Sequence, residues 1–328
     1  MTCAILFLLK SRKGRHHMQK LTMKNLDEVL TFSDGQKEYI KDCMIRNLRE
    51  GTIKHWNDSF THMNHFISPD RLISDLNENT MSEYILANRE TGLSDMTLYT
   101  YCRDLRTLMY FFMKQGWLKD FKISVPKCSK PPVEPYSDQE LMLLLKKPNV
   151  HTCSFSEYKA WVMVNFFLST GVRQNSISNI LIKDVDFDAG TIRINVTKNR
   201  KPLVIPMNNS IQRILIEYLR YRDGKPDDYL FCNVYGAKLT KSTLYHTIYV
   251  YNKSRGVETT GLHRFRHTYA KKSVLAGMNP VTLQKVLGHS SLAITQNYLN
   301  LLVSDIRQDV IDCDILKEFH PNRIKMNK

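Results

Sequence analysis

Between residues 33 and 121 apolar side chains recur at intervals of three and four, the period of an amphipathic helix. The clearest run is Leu98, Tyr101, Leu105, Leu108 and Phe112. It predicts one long helix with a single apolar stripe, Arg103, Arg106 and Lys114 away from its centre, and Gly116 as its stop. Two stretches resemble each other and read as helix entrances: Leu48 to Ile53 followed by Trp56 and Phe60, and Leu93 to Leu98 followed by Tyr101 and Leu105. The pattern breaks near residues 128–136, where Pro131, Pro132 and Pro135 forbid regular helix and favour an extended connection. Ser137 and Glu140 then stand at capping-box spacing ahead of Leu141, so a new domain starts there.

In the second half Trp161 to Leu168 is apolar nearly all round, which predicts a central buried helix closing at Ser169, Thr170 and Gly171. Thr191 to Thr197 alternates with the strand period, and Pro202 to Pro206 supplies a second apolar run. Together they predict a hairpin whose tip carries Lys198, Asn199, Arg200 and Lys201. Ile211, Ile214, Leu215, Tyr218 and Leu219 mark an amphipathic helix ended by Gly224. Another runs from Thr240 or Ser242 to about Lys253, carrying Lys241 and Tyr245, and its Tyr, Thr, His and Lys content suits either a groove or water. The fold class is mainly α with a small β-sheet: a helical domain over 24–127, a linker over 128–136 and an α+β domain over 137–313. Residues 1–23 read as a loose basic arm, or as an artefact if translation starts at Met18 or Met23, and 314–328 as a tail.

Composition narrows the function. The chain has 328 residues, 47 Lys plus Arg against 32 Asp plus Glu, and a formal charge of +15. With 42% hydrophobic residues it has apolar material for packed cores, which excludes a disordered polycation. A positive charge of this size points to a polyanion, with nucleic acid the leading partner class, because neutralising phosphates releases counterions. No apolar run approaches the roughly 18 residues of a membrane span, and the run Ala4 to Leu9 precedes its positive charges, so neither a membrane nor a signal peptide is expected. The seven cysteines are scattered without a C-x-x-C pair and read as reduced thiols in a cytoplasm.

Several polar residues stand where a plain core would not place them. They are Arg173 in Ser169-Thr170-Gly171-Val172-Arg173, Lys198 in Val196-Thr197-Lys198-Asn199, and His263 and Arg266 in His263-Arg264-Phe265-Arg266-His267-Thr268. His289 follows in Leu287-Gly288-His289-Ser290-Ser291, and Tyr298 in Thr295-Gln296-Asn297-Tyr298. Each alone is weak evidence, since an isolated His or Tyr is more often structural. In this order they resemble the tyrosine site-specific recombinases, or phage-type integrases, over about residues 48–300. The phrase ending Lys114-Gln115-Gly116-Trp117-Leu118 also looks like that family's core-binding domain.

The resemblance implies a helical core-binding domain and a catalytic domain closing as a C-shaped clamp on double-stranded DNA, working as a homo-tetramer on two DNA sites, with or without an accessory DNA-bending factor. It implies Arg173 and Arg266 as a phosphate clamp, Tyr298 as a nucleophile forming a 3′-phosphotyrosyl enzyme, and Lys198 as the acid for the leaving oxygen. His263 would be the general acid/base, and His289 would bond the phosphate or the nucleophile. Lys201 or Arg200 competes with Lys198, and Arg103, Arg106, Lys201, Lys241 and Tyr245 are candidate DNA contacts. The family often has Glu where Ser176 stands, so acidic support comes from Asp184 or is missing. No Cys or carboxylate lies at ligand spacing from the histidines, and no metal or other cofactor is expected. Site-specific DNA recombination leads, as integration and excision of a mobile element or as Xer-like resolution of chromosome or plasmid dimers, between which the sequence does not choose. The alternatives are a type IB-like topoisomerase and a non-cutting DNA-binding protein.

Overall fold

The computed structural model describes residues 30–128, 133–197, 201–291 and 295. The chain divides into two compact units, Met1–Pro131 and Pro132–Lys328. The N-terminal unit holds α1 (Phe32–Ile45), α2 (Glu50–Met63), α3 (Glu78–Glu90) and α4 (Asp95–Gln115). Side chains cap three of these helices: Thr31 and Asp34 close a box on α1, Asn77 caps α3 and Ser94 caps α4. Gly116 ends α4 in the left-handed conformation, as its place after the apolar stripe predicts. Leu98, Leu105, Leu108 and Phe112 are buried against Phe32, Phe60, Met63 and Tyr84 of the other three helices. Removing each of these side chains from water stabilises the unit by roughly 1.5–3 kcal/mol.

The second unit is organised on α6 (Phe155–Thr170), buried nearly all round as its composition predicts. Around it lie α5 (Asp138–Leu145), α8 (Asn209–Arg222), α9 (Lys241–Ser254) and α10 (Leu262–Leu275). The short α7 (Gln174–Ile177) follows α6, and α11 (Pro280–Leu287) follows α10. The basic Lys159 of α6 sits inside this core: 3% exposed, it donates from Nζ to the Cys232 carbonyl at 2.7 Å, and burial lowers its pKa. The sheet has three antiparallel strands in the order β1-β2-β3, with β1 Val185–Asp186, β2 Thr191–Ile194 and β3 Leu203–Pro206. Its register pairs Ile192 with Ile205 and Ile194 with Leu203.

Three expectations shift. The alternating run to Thr197 predicts a longer strand, yet the ladder stops at Ile194 because the Val196 carbonyl accepts from the Ser176 hydroxyl at 2.9 Å. The helix before Gly224 ends at Arg222, where Asp223 already has a φ of 47°. The latter part of the proline-rich connection docks on the second unit. Arg264 donates to the Glu134 and Pro135 carbonyls and lies 4.1 Å over the Tyr136 ring, whose other neighbour is Phe265 at 4.5 Å. The Tyr136 N–H donates to the Thr268 hydroxyl at 2.8 Å, and its own hydroxyl accepts from Asn252. Among the described residues no helix is long and apolar enough to cross a membrane.

Gly171 joins the fold to the site. It closes α6 at a φ of 60°, and a Cβ there would lie 2.4 Å from the Tyr269 ring and 2.7 Å from Leu287. Gly171→Ala combines left-handed strain with overpacking and should destabilise the protein by roughly 2–4 kcal/mol. Thermal or urea unfolding of the purified variant measures it, and an unchanged midpoint would contradict the packing described.

Candidate phosphate-binding site

Helix endings place the site residues. Gly171 stops α6, and the chain re-extends through Val172 so that Arg173 stands at the N-cap of α7. Phe265 stacks on Phe167 at 5.8 Å and fixes the roll of α10, which buries Arg266 to 2% exposure on the adjoining face. Asn279 and Pro280 start α11, and Gly288 ends it at a φ of 61°, so His289 follows directly on a left-handed turn.

The arginines then converge. Arg266 donates from Nη1 to the Gly171 carbonyl at 2.7 Å and from Nη2 to the Leu287 carbonyl at 2.8 Å. Arg173 donates from Nη1 to the Leu287 and Gly288 carbonyls, each at 3.3 Å. Two guanidiniums from different elements therefore share one carbonyl oxygen at the C-terminal end of α11, where the helix dipole favours cations.

His289 completes the group. Its Nε2 lies 2.6 Å from Arg266 Nη2, and its Nδ1 lies 2.8 Å from the Thr295 hydroxyl. A guanidinium has no acceptor, so Nε2 must be the unprotonated nitrogen and Nδ1–H donates to Thr295. Burial, followed by the charges of Arg266 and Arg173, pushes the His289 pKa down to about 4, so the ring is neutral at physiological pH.

Arg173, Arg266, His289 and Lys201 line one cleft of about 630 Å³ with the hairpin base. Its described lining includes Lys285 as a fourth cation and no carboxylate, which suits it to an anion. The Thr197 hydroxyl donates to the Lys201 carbonyl at 2.6 Å and closes the base of the hairpin tip. Lys198 and Tyr298 lie outside the described residues. His263 is exposed on α10, with its ring edge-on to His267 at 5.8 Å, and is not among the described residues lining the cleft.

Ser176 and Asp184 both brace the hairpin. Ser176 ties α7 to Val196, and Asp184 accepts from the Leu181 N–H at 2.9 Å and from Asn195 at 2.8 Å, bracing the same hairpin. Lys241 and Tyr245 are exposed on α9, where Tyr245 stacks on Tyr249 at 6.2 Å. In the N-terminal unit Arg106 is half-buried, while Arg103 is held by Asp104, Nη2 to Oδ1 at 2.9 Å. Asp104 is buried and also accepts from His55 and Ser59, each at 2.8 Å. Sequence reasoning missed Thr295 as a partner of His289, although it stands within the Thr295 to Tyr298 phrase, and it missed the Asp104 cluster, whose members are spread over two helices.

Fold and site together define a helical protein with a cationic cleft suited to an anion such as a phosphate. The pattern of the phage integrase family matches residues 138–304, and that of the phage integrase SAM-like domain matches residues 31–127. The chain belongs to the phage integrase family and is a tyrosine site-specific recombinase. It is 27% identical over 286 residues to tyrosine recombinase XerA of Saccharolobus solfataricus, covering 85% of this chain and 92% of that protein. With XerC of Staphylococcus epidermidis it shares 24% identity over 271 residues, 80% of this chain and 90% of the relative. Its fold matches the Tn1549 transposon integrase in complex with a circular intermediate DNA at a TM-score of 0.69, with 22% identity, 86% of this chain and 99% of the other. The lambda integrase tetramer bound to a Holliday junction matches at 0.67, with 14% identity, 83% and 78%.

The His289 environment sets a pH dependence. Its pKa falls from 6.5 in a free side chain to about 4 in the fold, so the unfolded chain takes up the proton first. The stability tied to neutral His289 is complete above pH 6.5 and is lost as pH falls towards 4, amounting to about 3 kcal/mol. Urea unfolding across that range, compared with His289→Gln, should show the acid-dependent loss shrink by this amount in the variant.

Proposed function

We propose that the recombinase cleaves and rejoins double-stranded DNA through a 3′-phosphotyrosyl intermediate, with Tyr298 as nucleophile. The observation that carries the reading is the convergence of Arg173 and Arg266 on the Leu287 carbonyl, in a cleft without a described carboxylate. The phenolic oxygen attacks the scissile phosphorus as the bond to the 5′ oxygen breaks, and the two guanidiniums offset charge growing on the non-bridging oxygens. His263 takes the phenolic proton, and a cation of the hairpin tip protonates the leaving 5′ oxygen. That cation is Lys198, with Lys201 the alternative favoured by its place on the cleft wall. The phosphodiester is conserved as a phosphotyrosine ester, so the reverse attack by a 5′-hydroxyl reseals the strand.

The domain reading extends this. Residues 24–127 act as the core-binding domain with Arg103 and Arg106 as backbone contacts, residues 137–313 as the catalytic domain with Lys201, Lys241 and Tyr245 on DNA, and 1–23 as a basic arm. The working form is a homo-tetramer on two sites, assisted or not by a bending factor, in the cytoplasm. The tail 314–328, with Phe319, passes between protomers, a reading supported by an apolar groove of about 1240 Å³ walled by Met142, Leu145, Met278 and Val286. The reaction is integration and excision of a mobile element. Xer-type dimer resolution is the second reading, favoured by the sequence likeness to XerA and XerC.

Tyr298→Phe should abolish the covalent adduct on a suicide duplex while leaving duplex affinity intact, read by denaturing gel and by fluorescence anisotropy. An adduct formed by that variant overturns the assignment. Wild-type cleavage should persist in chelator, because the arginines supply the charge neutralisation. Arg173→Ala should slow cleavage at least a hundredfold, roughly the cost of one oxyanion-stabilising donor, whereas Arg106→Ala should chiefly weaken binding and flatten its salt dependence.

A further inference from the structure

Thr295 carries none of the roles assigned above, yet its hydroxyl meets the one nitrogen that decides how His289 is protonated. The residue is fully buried and helical, and its Oγ1 lies 2.8 Å from His289 Nδ1. Arg266 needs a lone pair at Nε2, so the imidazole proton must sit on Nδ1, and that proton needs an acceptor out of water. A neutral imidazole with the other tautomer would set an N–H against the guanidinium. The hydroxyl is therefore linked through the ring to a buried arginine two hydrogen bonds away, much as carboxylates and carbonyls fix histidine tautomers at metal centres.

We infer that Thr295 is a positioning residue, holding His289 as the Nδ1–H tautomer so that Arg266 is aimed at the phosphate. The inference rests on Tyr298 being the nucleophile, and the two fail separately: an adduct in Tyr298→Phe removes that reading, whereas the measurements below concern Thr295 alone. Two arrangements at this position have different signatures. A packing role needs only the methyl and the volume, which Thr295→Val keeps. A tautomer-setting role needs the hydroxyl, which Thr295→Ser keeps.

The test uses the full chain with labelled histidine and a suicide duplex. Long-range proton–nitrogen NMR of the wild type should report His289 as the Nδ1–H tautomer at neutral pH, identified by loss of the signal in His289→Gln. In Thr295→Val that signature should be lost. Adduct formation should then slow roughly tenfold to a hundredfold, the rate equivalent of one buried hydrogen bond, at unchanged duplex affinity. Thr295→Ser should restore both. An Nε2–H tautomer in the wild type overturns the inference whatever the variants do. So does wild-type cleavage by Thr295→Val, or a Thr295→Ser variant as slow as the Val one. Should Thr295→Val fail to fold, the wild-type tautomer and the serine variant still decide.

Discussion

A guanidinium cannot shed its charge, and two of them brought together repel unless something negative lies between. In this protein that something is the end of a helix. The carbonyl of Leu287 accepts from both Arg173 and Arg266, and Gly288 and Gly171 contribute two more carbonyls. The orphan acceptors of α6 and α11 thus do the work that carboxylates would do elsewhere, with partial rather than full charges. The difference matters chemically: dipoles steady the arginines without cancelling them, and the cleft stays attractive to a phosphate. The depressed basicity of His289 follows first from its burial and then from the same crowding, because a third cation beside Arg266 and Arg173 is unfavourable.

Much of this scaffold is legible in sequence wherever the controlling interaction is local. The stripe on α4, the all-round apolar α6, the capping box at Ser137 and the glycine stops at Gly116 and Gly171 all act within a turn or two of chain. Strand ends are less legible, because Ser176 takes the Val196 carbonyl through a contact between separate elements. The docking of Tyr136 on Arg264 and Phe265 is hidden for the same reason: the prolines announce an extended segment, but not the surface that it lies on.

The site divides along similar lines. Arg173, Arg266 and His289 stand out through their ordered phrases, and the structure brings them to one cleft. Their anchors were invisible, since a backbone carbonyl carries no residue identity and Thr295 looks like any helix threonine. In the N-terminal unit the helical pattern places Arg103 off the apolar stripe and says nothing of its neighbour's burial. Asp104 beside it is a buried carboxylate surrounded by His55, Ser59 and Arg103, an arrangement that satisfies a charge which would be very costly alone.

Because oxygens of the main chain hold the arginines, ordinary side-chain scanning along α11 is blind to what those atoms contribute. Exchanging Leu287 for another apolar residue leaves the oxygen where it is. Only edits to the peptide unit itself, such as an ester linkage, or a residue that changes the backbone path at Gly288, reach the feature. The electrostatic cradle is thus set by the path of the main chain at this helix end, and the buried Leu287 side chain contributes packing rather than charge.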